Sequence, residues 1–296
     1  MFKTIEEYLE ALKNEMKDAD PALVQDAQAD AREHLSTALA VTRESTAEID
    51  ESDALKKIIE EYGTPEETAS AYREVERRTS PALKQAARPR SVLGRFFGVY
   101  LDPYAWGALL YMLIAFVTGI LYFVWAVTGA SLSISFSIFI FGLPFALLFL
   151  LSVRGFALLE GRLVEALLGV RMPRRPLFSH QGMKWLDRLK ALVTDKATWL
   201  MLVYMVLQFV LGTVYFVLLV TVLSFSLSFI AIPVLQEYFN QGAVYNNGIR
   251  YFFPGWSYPL LVLGGFLLWT IFMNIARGVG QLHGKMAKWL LVSEQS

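Results

Sequence analysis

Two stretches of this chain, 93 positions apart, write nearly the same apolar segment twice. Residues 111–136 read YMLIAFVTGILYFVWAVTGASLSISF, and residues 204–229 read YMVLQFVLGTVYFVLLVTVLSFSLSF. Tyr111 falls on Tyr204, Met112 on Met205, Phe116 on Phe209, Gly119 on Gly212 and Thr128 on Thr221, and Tyr-Phe-Val triplets begin at Tyr122 and Tyr215. The register also holds upstream, where Asp102 falls on Asp195 and Trp106 on Trp199. Apolar composition alone does not produce so dense a match, so duplication sets the expected architecture.

A second matched element follows. RGFALLEGRL from Arg154 to Leu163 aligns with RGVGQLHGKM from Arg277 to Met286, now 123 positions apart. The step from 93 to 123 puts thirty additional residues into the second copy, between Phe229 and Trp269. No charged residue lies between Asp102 and Arg154 or between Lys196 and Glu237. A spanning helix needs roughly 20 apolar residues, so transmembrane helices are expected near 105–128, 134–153, 199–222 and 258–276. Two spans per copy make the copies parallel, related by an axis along the membrane normal.

Lys and Arg set the expected orientation. Arg73, Arg77, Arg78, Lys84, Arg88, Arg90 and Arg95 precede the first span, nine basic residues from Arg154 to Lys196 lie between the second and third, and Arg277, Lys285 and Lys288 follow the fourth. The other two loops carry only Arg250. The positive-inside rule then predicts cytoplasmic termini and a cytoplasmic middle loop in a multi-pass protein of the bacterial inner membrane. The N-terminus is acidic and amphipathic rather than a basic stub before an apolar core, so the first span is expected to act as its own insertion signal. The chain has no cysteine, which removes disulfides, thiolate nucleophiles and Cys-based metal sites.

Residues 1–78 carry helical periodicity, with Ile5, Tyr8, Leu9, Leu12 and Met16 on one stripe and Leu55, Ile58, Ile59 and Tyr62 on another. Asp20-Pro21 reads as an N-cap and first-turn proline, and Gly63-Thr64-Pro65-Glu66-Glu67 closes one helix and caps the next. Helices are predicted near 4–17, 21–41, 51–62 and 65–78.

The fold class is therefore all-α: a small cytoplasmic helical bundle (1–78), a basic linker (79–100), and a polytopic four-transmembrane-helix body of two parallel repeats (101–194 and 195–296). Each repeat is expected to end in an amphipathic interfacial helix, the first opening the segment 154–194 and the second covering 277–292, with Leu158, Leu159, Leu163, Val164 and Leu168 on the apolar face of the first.

Candidate functional residues follow from this layout. Arg154 and Arg277 close spans two and four, and Asp102 and Asp195 open spans one and three, so crossed Arg–Asp pairs are expected to join the halves. Gly119 and Gly212 would admit close approach of spans one and three. Serines at 131, 133, 135 and 137 and at 224, 226 and 228 alternate with apolar residues, as in an extended outer turn or the wet start of a span. The outer loop of the second copy, 232–258, packs aromatic residues around Asn246-Asn247-Gly248; Glu237, Tyr238, Tyr245, Arg250 and Trp256 form either a belt at the interface or a mouth for an amphiphile. In the head, Arg32, Glu33 and His34 share one turn as a candidate partner surface, and the basic middle loop around Arg174 and Arg175 is the expected dock for the acidic head.

Two resemblances extend this reading. Tyr8-Leu9, Asp30-Ala31-Arg32-Glu33-His34-Leu35 and the Ile58-Ile59…Tyr62-Gly63-Thr64-Pro65-Glu66-Glu67 corner resemble the HAAS domain, a helical module of bacterial membrane sensors. That resemblance implies a cytoplasmic signalling partner, such as a PadR-type regulator. The body, through Tyr215–Thr221, the Phe141-Gly142-Leu143-Pro144 turn and Leu159–Glu165, resembles the four-span putative sensor domain family that often precedes a histidine kinase. No kinase segment follows it in this sequence, so output is expected through the head or a separate protein.

No phosphate loop, Gly-x-Ser-x-Gly, His-Glu-x-x-His or dinucleotide fingerprint is present, and no catalytic set, cofactor or metal site is expected. The reading is a non-enzymatic sensor or regulator with membrane lipids and a cytoplasmic regulatory protein or kinase as partners, open to homo-oligomerisation and without direct nucleic-acid binding. The alternative is a permease-like component or membrane scaffold.

Overall fold

The computed structural model describes residues 2–45, 51–78, 91–136, 138, 142–174, 185–240, 244–246 and 249–292. It is all-α apart from one short hairpin: α1 (Ile5–Glu15), α2 (Pro21–Ser45), α3 (Glu51–Tyr62), α4 (Pro65–Arg78), α5 (Val92–Phe97), α6 (Pro103–Phe136), α7 (Gly142–Leu168), α8 (Trp185–Thr194), α9 (Lys196–Phe239), β1 (Val244–Asn246), β2 (Ile249–Tyr251) and α10 (Tyr258–Leu291). Four helices, Pro103–Phe136, Gly142–Leu168, Lys196–Phe239 and Gly255–Leu291, are long and apolar enough to cross a membrane.

The chain forms two compact units. The first comprises Met1–Ala82, Val124–Met205 and Gly284–Ser296, and the second Leu83–Phe123 and Val206–His283.

In the first unit, α1 to α4 close around Tyr8, Leu9, Leu12, Met16, Leu23, Leu35, Leu55, Ile58 and Ile59. Gly63, at φ 112°, ends α3 in a conformation that favours glycine. Thr64 and Glu67 then form a capping box, with Glu67 N donating to Thr64 Oγ1 (3.3 Å) and Thr64 N to Glu67 Oε2 (2.9 Å). The corner is tied to the core because Tyr8 Oη donates to Gly63 O (2.9 Å) and lies 3.0 Å from Thr68 Oγ1. In the same unit α6 and α7 form a hairpin, through Trp125 Nε1 donating to Ser152 Oγ (2.8 Å) and the edge contact of Phe136 with Phe145.

In the second unit α6 and α9 cross at two glycines. A Cβ on Gly119 would stand 2.6 Å from Gln208 O, and one on Gly212 would stand 2.2 Å from Ala115 O. Phe116 stacks on Phe216 at 4.3 Å between centroids, and Phe123 on Phe209 at 4.6 Å.

Three features differ from the sequence expectation. The helices run on past Arg154 and Arg277, so neither interfacial helix exists as a separate element: α7 ends at Leu168, before Gly169 at φ 62°, and α10 reaches Leu291. No proline interrupts either stretch, and both arginines meet carboxylates, so neither forces the chain out at the water boundary. The alternating serines, where described, lie within α6 and α9 rather than in an extended turn. Ser135 Oγ donates to Ser131 O (2.8 Å) and Ser226 Oγ to Gly265 O (2.7 Å), which satisfies the hydroxyls of these two inside helices. At 44 residues α9 rises about 66 Å, roughly twice the hydrocarbon thickness.

The third correction concerns packing sense. Where α6 meets α10, Asp102 pairs with Arg277 and Tyr111 with His283, so the two helices advance together. α9 and α10 form a hairpin through Ser226–Gly265 and Tyr215–His283. At their crossing α6 and α9 are therefore opposed rather than parallel. The stacks of Phe116 on Phe216 and Phe123 on Phe209 require this reversed register.

Candidate functional site

The head meets the segment that follows α7 through a cluster of buried charges. Gly169 stops α7, and Val170 to Arg174 continue as irregular chain. Arg171, 8% exposed, directs Nη2 to Asp26 Oδ2 of α2 (2.8 Å) and Nε to both carboxylate oxygens of Glu76 of α4 (3.1 Å each). Its Nη1 lies 3.8 Å from Glu165 Oε1 and donates to Met172 O. Arg174 donates its backbone N–H to Asp26 Oδ1 (2.6 Å) and its Nη2 to Glu165 Oε1 (2.8 Å). The Glu165 hydrogen bond raises the Arg174 pKa and keeps the guanidinium charged. Lys288 near the end of α10 adds a contact, with Nζ donating to Asp20 Oδ2 (2.5 Å).

Buried polar pairs also join the long helices. In the first unit Arg154 Nη2 donates to Asp195 Oδ2 (2.5 Å) and to Thr198 Oγ1 (3.1 Å), while Asp195 caps α9 by accepting from Ala197 N (3.1 Å) and Thr198 N (3.2 Å). Six residues beyond Arg154, Glu160 accepts from Tyr204 Oη (3.0 Å). In the second unit Arg277 Nε lies 3.1 Å from Asp102 Oδ2, and Asp102 caps α6 at Tyr104 N (3.1 Å). There Gln208 Nε2 donates to Tyr111 Oη (3.1 Å), which lies 2.6 Å from His283 Nε2, and His283 Nδ1 lies 3.1 Å from Tyr215 Oη. Sequence reasoning placed Glu160 and His283 in cytoplasmic interfacial helices; both are buried against tyrosines of α9 and α6. Their signal was present, since the 123-residue offset aligns them.

A family model described as Putative sensor matches residues 111–291. The chain belongs to the Putative sensor family. The matched sensor region contains Glu165, Arg171, Arg174 and Lys288, whereas their partners Asp20, Asp26 and Glu76 lie in the head outside it. No curated protein and no solved structure gives a significant match to the chain.

The remaining candidates lie on the outer loop of the second copy and on the head. Tyr238 (80% exposed) and Trp256 (74%) stand at the surface with Glu237. Gln236 Oε1 accepts from Phe253 N (3.0 Å), joining α9 to the segment after β2, and Asn246 pairs with Ile249 in the hairpin. The side chains of Tyr245 and Arg250, residues Asn247 and Gly248, the linker residues 79–90 and Arg175 lie outside the described residues. On the head, Arg32 pairs with Glu6 (3.3 Å) and His34 stacks on Tyr62 (4.6 Å between centroids), so both are engaged within the bundle, while Glu33 is exposed. Arg171 was not singled out in the sequence, where it is one basic residue among several. Among the described residues no group of three His, Asp or Glu side chains is placed to hold a metal ion.

Proposed function

We infer that this protein is a non-enzymatic bacterial membrane sensor. The sensor region responds to a change in the membrane or envelope, and the cytoplasmic head carries that change to a partner such as a transcriptional regulator or kinase. The observation that carries this reading is the clamp of Asp26 and Glu76 on Arg171, three residues beyond the end of a helix able to cross a membrane. A shift at the end of α7 bears directly on whether the clamp holds, and a relay needs two states of the head with different partner affinity.

Membership of the sensor family supports the input side, and the HAAS-like corner at Gly63–Glu67 supports the output side. The Lys and Arg bias supports a cytoplasmic head. A duplicated body is supported by contacts that recur with positions exchanged: Arg154–Asp195 and Arg277–Asp102, Glu160–Tyr204 and His283–Tyr111, Phe116–Phe216 and Phe123–Phe209.

The test is crosslinking capture from native membranes, comparing the full chain with one lacking residues 1–78. A regulator or kinase recovered only with the head is the expected result. Recovery of the same membrane components with and without the head would replace the relay with transport or scaffolding.

A further inference from the structure

Around Glu165 the sensor region gathers Arg162 Nη1 at 3.5 Å, Arg171 Nη1 at 3.8 Å and Arg174 Nη2 at 2.8 Å. Three guanidinium groups face one carboxylate, an excess of two positive charges. The head supplies two carboxylates, Asp26 and Glu76, and the cluster becomes neutral.

The manner of supply is as informative as the number. The Asp26 carboxylate is held at both oxygens, by Arg171 Nη2 at one and by the Arg174 backbone N–H at the other. A guanidinium and a main-chain amide converging on one anion is the donor set that phosphate oxygens take. Arg174 Nε is buried and has no hydrogen-bond partner among the described residues, which leaves a donor for a further oxygen.

We propose that Arg171 and Arg174 form a binding site for a phosphate-class anion, in which Asp26 and Glu76 of the head act as the resident competitor. This rests on the relay reading and names what would drive it. Releasing the head takes away two of the three carboxylates that pair with Arg171, and losing those charge-assisted bonds is costly. An anion entering the niche removes that cost, so it favours the released head by linkage. The niche begins three residues after α7, where both a phospholipid headgroup and soluble phosphate can supply the chemistry.

The test uses full-length protein in phosphatidylcholine nanodiscs. One arm titrates inorganic phosphate, a second uses nanodiscs containing phosphatidylglycerol, and a control adds sodium chloride at matched ionic strength. Head release is read as amide exchange in α2 and α4. Phosphate-class anion should raise that exchange at least about threefold over matched chloride. A response confined to the phosphatidylglycerol arm assigns the source to lipid, and one confined to inorganic phosphate assigns it to a soluble ligand. The variant Asp26→Asn/Glu76→Gln keeps both arginines and should bind the effective anion about tenfold more tightly, because its competitor is neutralised. Arg171→Gln should abolish the anion response.

Equal release by chloride, no response in either arm, or anion binding by Asp26→Asn/Glu76→Gln no tighter than by the charge-matched control Glu10→Gln/Glu61→Gln, at two exposed head carboxylates, would overturn the proposal. Partner capture is a separate measurement. Anion-driven release without a captured partner removes the relay and keeps the niche, whereas capture without an anion effect removes the niche alone.

Discussion

Tyr111 Oη lies 2.6 Å from His283 Nε2, although 172 positions separate them in the chain. This hydrogen bond is the centre of a series that joins Gln208, Tyr111, His283 and Tyr215. Every member is buried, so breaking the series leaves polar groups unsatisfied rather than hydrated. Tyr111→Phe is expected to destabilise the protein by about 1–3 kcal/mol. Replacing Gln208, Tyr111, His283 and Tyr215 together by apolar residues of similar size should cost less than that single change. Melting temperatures in detergent decide this; a larger loss from the fourfold variant would contradict the account.

The Arg154–Asp195 and Arg277–Asp102 ion pairs predict rescue by exchange. Arg154 has 7% and Asp195 32% of its side chain exposed. Removing one partner of a buried ion pair costs about 3–5 kcal/mol, and the partial exposure of Asp195 places Asp195→Ala at or below the low end. Asp102, with 4% exposed, should be the more sensitive position. Arg154→Asp combined with Asp195→Arg should recover part of the loss of either single change, measured as a coupling energy in a double-mutant cycle.

The crossing of α6 and α9 tolerates no side chain at its glycines. Gly212→Ala places a methyl group 2.2 Å from the carbonyl oxygen of Ala115, a main-chain atom that cannot rotate away. The helices must separate, at about 1–3 kcal/mol. Gly278→Ala, with nothing within 4 Å of its Cβ, is the matched control and should leave the melting temperature nearly unchanged.

Acid should loosen the head at its Gly-Thr-Pro-Glu corner. Hydrogen bonds from the Thr64 backbone and side chain hold the Glu67 carboxyl below its ordinary pKa. A depressed carboxylate contributes stability that is fully present above the unfolded pKa and is lost as pH falls through the folded one. The protection factor of the amides at the start of α4, their exchange relative to the intrinsic rate at each pH, should therefore fall as pH drops from roughly 6 to 3, and Glu67→Gln should flatten the part of that profile due to this residue.

Orientation can be read directly because the chain has no cysteine. Ser36→Cys should react with a membrane-impermeant maleimide only after permeabilisation, as the Lys and Arg bias requires. Reaction of Ser36→Cys in intact cells would contradict a cytoplasmic head.

Much of the local architecture was legible because it depends on neighbours in the chain. The stripes through Leu9 and Leu12 and through Ile58 and Ile59, the Asp20 and Thr64 caps and the four apolar runs are short-range patterns, and each sits in the predicted helix class. The helix ends at Arg154 and Arg277 misled because a charge in an apolar run reads as a water boundary, whereas here a distant carboxylate replaces water.

By itself the sequence determined that this is an all-α chain with four helices able to cross a membrane and a capped helical head, since period, capping and hydropathy are properties of adjacent residues. Only the tertiary structure decided which charges meet. Arg171 finds Asp26 145 positions away and Glu76 95 positions away, and α6 and α9 cross with reversed register. Such choices are made by satisfying buried charge and by packing rings and glycines across segments, which local propensity leaves open.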